Sequence, residues 1–180
     1  MDQPPPSALD MRDLKAVSVI SHGANGVVFH IRLSTGELLD LKAISRSSIE
    51  HRVTATSKDS DAYSRIWLER DVLFALCHPP LPSLCDVITT DKIISFAIDR
   101  CSSGDLASLR RRQSENMFSE VVIRFYATEL LLALDYLHGT GIVYRDLKPK
   151  NALMKESGHL MIVDFNLSTK LSSGPPPEPQ

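Results

Sequence analysis

A polar run, Tyr144-Arg145-Asp146-Leu147-Lys148-Pro149-Lys150-Asn151, lies between a long apolar-striped segment and two short strand-like runs, and it constrains the fold more than any other stretch. The segment before it, residues 120–138, carries Ile123, Tyr126 or Ala127, Leu130, Leu134 and Leu137 at helical spacing. Ser119 is placed to cap that helix, and Gly139 and Gly141 to stop it. Residues 151–155 and 159–163 have strand length and composition. A helix, a charged loop and a short hairpin in that order leave the loop side chains gathered at one end of the helix. A plain polar turn is the competing reading.

Upstream, residues 14–22 and 26–33 alternate apolar and polar around a glycine-containing turn, as antiparallel strands do. Ser34-Thr35-Gly36 marks a second turn, and residues 37–44 read as a third strand. Residues 45–61 are Ser/Thr-rich and polar, which predicts a loop. Residues 62–77 show helical spacing, with Ile66, Leu73 and Leu76 on one stripe, and prolines 79, 80 and 82 end it. Residues 84–90 and 92–99 form an expected hairpin, and a short helix is expected over 105–113. The fold class is therefore α+β: five strands with an inserted helix, a joint near residue 100, then helices and a small hairpin. The expected divisions are a disordered tail at 1–13, a first lobe at 14–99, part of a second at 100–170, and a proline-rich tail at 171–180.

Composition excludes several classes. A net charge of -2 over 180 residues does not suit a general nucleic-acid or membrane-surface binder. No apolar run reaches membrane-spanning length, so no integral membrane segment is expected. Cys77, Cys85 and Cys101 and the six histidines lack metal-ligand spacing, and free thiols fit a reducing compartment. A cytoplasmic location is expected, with the nucleus as the alternative. Arg110-Arg111-Arg112 reads as a solvated helix end before it reads as an anion site.

The charged loop has a chemistry of its own. Asp146 can accept a proton from a hydroxyl, Lys148 can reach a transferring phosphate, and Asn151 can ligate magnesium. Phosphoryl transfer needs this set: positioning, charge neutralisation and a proton acceptor. Here the sequence resembles the protein kinase family, whose loop reads [HY]-R-D-L-K-x-x-N. The Tyr-Arg-Asp form resembles the AGC group. Arg124-Phe125-Tyr126, Gly158-His159-Leu160 and Asp164-Phe165-Asn166-Leu167-Ser168 are similar to its plant-specific members, the UNICORN- and PINOID-like kinases.

The resemblance implies an ATP- and Mg2+-dependent serine/threonine protein kinase with a five-stranded first lobe and a helical second. It implies that Asp146 is the base and that Asn151 and Asp164 hold metal, Asp164 standing 13 residues after Asn151. Lys42 would bind phosphates, held by Glu69, which lies on the apolar face of its helix and needs a partner there. The nucleotide loop would be Ser21, His22, Gly23, Ala24, Asn25 and Gly26, with Ser at the first glycine position and Val28 packing on adenine. The Asp99 carbonyl and Cys101 amide would meet the adenine edge, Asp105 the ribose or a basic substrate residue, and Leu153 the adenine floor.

Four departures from the pattern bear on activity. Asp40 stands where kinases place a small apolar residue against the adenine. Strand alternation puts it on the face of Lys42, where it could compete with Glu69. Lys150 reverses the charge usual at its position. Asn166 replaces glycine and tolerates left-handed backbone. The sequence also ends 14 residues after Asn166, so the activation segment and later helices of a kinase are expected to be missing. The alternative expectation is thus a weak or inactive kinase-like module binding nucleotide, or binding a partner over the open face of the second lobe.

Overall fold

The alternation at 14–22 and 26–33 and the strand-like run at 37–44 predict three consecutive strands. In the structure, a computed structural model describing residues 9–23, 26–55, 62–101 and 103–171, they are β1 (Leu14–Gly23), β2 (Gly26–Leu33) and β3 (Leu38–Ser45). β4 (Leu84–Thr89) and β5 (Ile93–Asp99) complete an antiparallel sheet of order β1-β2-β3-β5-β4. The β2–β3 register sets His30 opposite Asp40 and Val28 opposite Lys42. On the far side of β3, Asp40 faces Ile98 and Lys42 faces Phe96. Gly26 has φ +126, and a Cβ there would stand 2.5 Å from the Ala43 carbonyl oxygen, so the turn into β2 requires glycine.

Residues 46–55 are not a loop. They form helix α1 (Arg46–Ala55), started by the Arg46 amide donating to the Lys92 carbonyl and anchored by buried Ile49. One apolar anchor in a polar segment gives almost no amphipathic signal. Part of the expected N-terminal tail is also ordered. Met11–Asp13 make a 3-10 turn capped by Asp10, and the Leu9 amide donates to Asp86 Oδ2 at 2.6 Å. Leu9 packs on the cluster of Ile31, Leu33 and Leu39, which removes its side chain from water.

Helix α2 (Ala62–Ala75) buries Glu69, Val72 and Leu73 against the sheet. Beyond the joint come α3 (Leu106–Arg111) and α4 (Glu120–Gly139). Ser119 Oγ caps α4 by accepting from the Val122 amide. The inward stripe of α4 runs through Tyr126, Leu130, Ala133 and Leu137, while Ile123 is 52% exposed. The partners of α4 are β6 (Ile142–Val143) and β8 (Leu160–Ile162), and the first turn of the helix projects past the buried cluster. β7 (Ala152–Met154) pairs with β8, and β6 pairs with β9 (Thr169–Lys170).

The two lobes share one core. Ile44, Val72, Ile94 and Phe96 of the first lobe join Leu137, Tyr144, Ile162 and Phe165 of the second in a single buried cluster. Backbone contacts reinforce it: the Ile162 amide donates to the Pro80 carbonyl at 2.9 Å, and Lys155 Nζ to that of Pro79 at 2.7 Å. Among the described residues no helix is long and apolar enough to cross a membrane.

Candidate active site

Lys42 leaves the middle of β3 and meets two carboxylates. Its Nζ donates to Glu69 Oε1 on α2 at 2.6 Å and to Asp164 Oδ1, after β8, at 2.9 Å. Glu69 is 2% exposed, so this is a largely dehydrated ion pair. Burial pulls Lys42 down, but the two facing carboxylates outweigh it and hold the ammonium above its ordinary range. Burial pushes the Glu69 carboxyl up against the pull of Lys42. One ammonium between two carboxylates leaves the trio one negative charge in excess. Asp164 has φ +66, so the left-handed residue is the aspartate itself and not Asn166. Asn166 instead donates from Nδ2 to Asp164 Oδ1 at 3.0 Å, fixing that carboxylate from a second side.

The loop of 144–151 forms a second cluster. Asp146 Oδ2 accepts from Lys148 Nζ at 2.6 Å and from Asn151 Nδ2 at 2.8 Å. The Lys148 bond, with Asn151 assisting against a smaller burial effect, holds the Asp146 carboxyl below its ordinary range. Asn151 Nδ2 also donates to the Asp146 carbonyl at 3.1 Å, which fixes the amide's orientation. Pro149 opens the 3-10 turn Pro149–Asn151 that makes this spacing possible. Arg145 adopts φ +69 just before Asp146. Beneath the loop, Tyr144 is 1% exposed, donates its hydroxyl to the Val163 carbonyl at 2.5 Å and sets its ring edgewise on Phe165. Tyr144 thus ties the strand before Asp146 to the strand before Asp164. Only its place in the loop motif marked it in the sequence.

Both clusters open on one cavity of about 240 Å3, lined among others by Glu69, Asp146, Lys148, Asp164 and Asn166. A larger cavity of about 570 Å3 lies on the opposite face of the sheet, among Val27, Phe29, Leu41 and Ala43. It has an apolar wall and reaches neither cluster, so the chemistry belongs to the smaller one.

The expected base-binding residues fare unevenly. Val28 and Leu153 are half-buried on β2 and β7, and Ser21, His22 and Gly23 end β1 exposed. Ala24 and Asn25 lie outside the described residues. Asp105 caps α3, accepting from the Ser108 amide at 2.8 Å and its hydroxyl at 2.7 Å. Asp99 Oδ2 accepts from the Ser83 amide at 3.0 Å. Asp40 does not compete for Lys42. Its Oδ1 meets His30 Nδ1 at 2.5 Å and its Oδ2 accepts from the Cys101 amide at 3.0 Å. His30 was missed in the sequence, although strand register places it directly across from Asp40.

The sequence that builds this arrangement matches the protein kinase domain family over residues 14–179. The chain is a member of the protein kinase domain family. It is 49% identical over 175 residues to the serine/threonine-protein kinase OXI1 of Arabidopsis thaliana, covering 97% of this chain and 42% of that protein. The Arabidopsis thaliana kinase UCNL is 38% identical over 173 residues, covering 93% and 41%. Protein kinase PVPK-1 of Phaseolus vulgaris is 38% identical over 168 residues, covering 93% and 26%. The kinase domain described here thus spans less than half the length of these relatives. As expected, they are plant serine/threonine kinases of the AGC type.

The donors suit Mg2+. Asp164 supplies a carboxylate in a trio with excess negative charge, and Asn151, its Nδ2 donating to Asp146, has an amide oxygen for a hard cation. No group of three or more His, Cys, Asp or Glu able to hold a metal occurs among the described residues. Mg2+ accepts such a sparse protein set because it keeps several waters and binds phosphate oxygens.

Proposed function

We propose that this chain forms the nucleotide cleft and catalytic loop of a protein serine/threonine kinase that moves the γ-phosphoryl group of ATP to a protein hydroxyl. The observation that carries this is the convergence of the Lys42–Glu69–Asp164 trio and the Asp146–Lys148–Asn151 cluster on one cavity. Asp146, with its pKa held down, is ionised at neutral pH and accepts the proton of the attacking hydroxyl. Lys148 neutralises charge developing on the transferred group, and Lys42 orients the phosphates behind it. Mg2+ held by Asp164 and Asn151 would supply further neutralisation of the phosphate oxygens. The residues for the base are Val28, Leu153, Cys101 and Asp99, with Asp105 for the ribose or a basic substrate residue and Ser21, His22, Gly23 and Gly26 for the phosphates. In the same reading the protein acts in the cytoplasm or nucleus on protein substrates.

The test uses the purified 180-residue chain with Mg2+, γ-labelled ATP and a library of serine- and threonine-containing peptides. Label transfer that disappears in Asp146→Asn, with MgATP binding retained, is the expected result. MgATP binding without transfer would favour a nucleotide-binding module. Transfer that persists in Asp146→Asn would overturn the assignment of the base.

A further inference from the structure

We infer that Asp40 occupies the nucleotide-base site from within, its carboxylate taking the Cys101 amide that an adenine ring would use. This rests on the cleft being a nucleotide site. β3 delivers Lys42 to the phosphate end of the cleft, and two residues earlier on the same face it delivers Asp40 to the joint. Asp40 is 2% exposed and its Oδ2 accepts the Cys101 N–H at 3.0 Å across 61 residues of sequence. Adenine binds a backbone edge of this kind by donating from N6 to a carbonyl and accepting at N1 from an amide. Here the carboxylate oxygen already stands where N1 would, as the acceptor for that amide.

The contact is held from its other side. Asp40 Oδ1 meets His30 Nδ1 at 2.5 Å across the β2–β3 pair; burial pushes the Asp40 carboxyl up, and the Cys101 amide, His30 and Arg100 pull against it. A carboxylate this buried keeps its place because each oxygen has a partner. Adenine must therefore displace a charge-assisted hydrogen bond before it gains its own, and it must leave a carboxylate facing its N1 lone pair. Both effects weaken adenine nucleotides. The same site does not penalise hypoxanthine in the same way, since its N1 carries a hydrogen and does not compete for the Cys101 amide.

The experiment measures MgATP and MgITP affinity by calorimetry for the full chain and for Asp40→Ala, Asp40→Asn and Asp164→Ala. Asp40→Ala frees the amide and should bind MgATP about ten- to a hundredfold more tightly, the size of one charge-assisted hydrogen bond. MgITP should gain less than about threefold, because its N1–H cannot accept from the amide. Asp40→Asn keeps an oxygen for Cys101 but loses the charge, so its MgATP affinity should fall between those of the unsubstituted chain and Asp40→Ala. Equal MgATP affinity in the chain and in Asp40→Ala overturns the inference, as does an equal gain for MgITP, which would mean general relief of bulk or charge. If Asp164→Ala alone loses MgATP, the nucleotide reading survives that failure. If no variant binds MgATP at millimolar concentration, the nucleotide reading fails and this inference falls with it.

Discussion

Replacing Lys42 by methionine isolates the electrostatics that hold the two lobes in register. The substitution keeps most of the side chain's length and removes an ammonium lying 2.6 Å from Glu69 and 2.9 Å from Asp164. Glu69 is 2% exposed and then faces Asp164 with no cation between them. Stranding one member of a buried pair costs about 3–5 kcal/mol. For a chain of this size that lowers the melting temperature by roughly 6–20 °C. The loss must depend on pH. Burial and the neighbouring aspartate already raise the Glu69 carboxyl, and without Lys42 only a backbone hydrogen bond from Phe165 opposes them. The folded variant then holds a proton on Glu69 at pH values where the unfolded chain, near pKa 4.3, has released it. A group with a raised folded pKa loses its contribution as pH rises, so the deficit is small near pH 4 and grows toward pH 7. The double variant Lys42→Met, Glu69→Leu removes the stranded carboxylate and should recover most of the loss. Urea unfolding of the four members of the cycle at pH 4.5 and pH 7 reads all of this. A loss below about 1 kcal/mol at pH 7, or one that does not change with pH, would show that Lys42 and Glu69 are not paired in the folded chain.

Two other expectations follow from single contacts. Tyr144→Phe leaves the Val163 carbonyl without its 2.5 Å donor, and urea unfolding should record a loss of about 1–3 kcal/mol with the fold intact by circular dichroism. Gly26→Ala places a Cβ 2.5 Å from the Ala43 carbonyl oxygen, whereas Gly36→Ala meets nothing within 4 Å. Both positions have positive φ, so both lose stability, but Gly26→Ala should lose clearly more and shift the amide resonances of β3.

The parts of the fold visible in the sequence were those with strong period or strong chemistry. Alternation located β1 and β2, strand-like runs bounded by turn residues located β3 to β5, and the need to pair a charge on an apolar helix face linked Glu69 to Lys42. What stayed hidden depends on tertiary neighbours. α1 rests on Ile49, a single buried contact that no periodicity announces. Leu137 is fully buried on α4 while Ile123, fourteen residues earlier on the same face, is half exposed, because the neighbouring strands reach only part of the helix. The backbone reversal after β8 falls on Asp164, and residue type alone pointed to Asn166.

Asp40 shows the limit in its sharpest form. Alternation placed it on the face of Lys42, which is correct, and proximity along the strand suggested rivalry for Glu69. Register decides otherwise. Asp40 lies opposite His30 on one side and Ile98 on the other, three residues before Cys101, so its reach is toward the joint and away from α2. Lys42 lies two residues further along, level with Phe96, and reaches α2. One strand therefore governs both ends of the cleft through residues that never touch the same partner. A change at residue 40 can alter the hold on the base while leaving the Lys42–Glu69–Asp164 trio in place. On the proposed reading, the geometry of phosphoryl transfer and the affinity for nucleotide are then separable, and the intact trio is no measure of how readily the cleft fills.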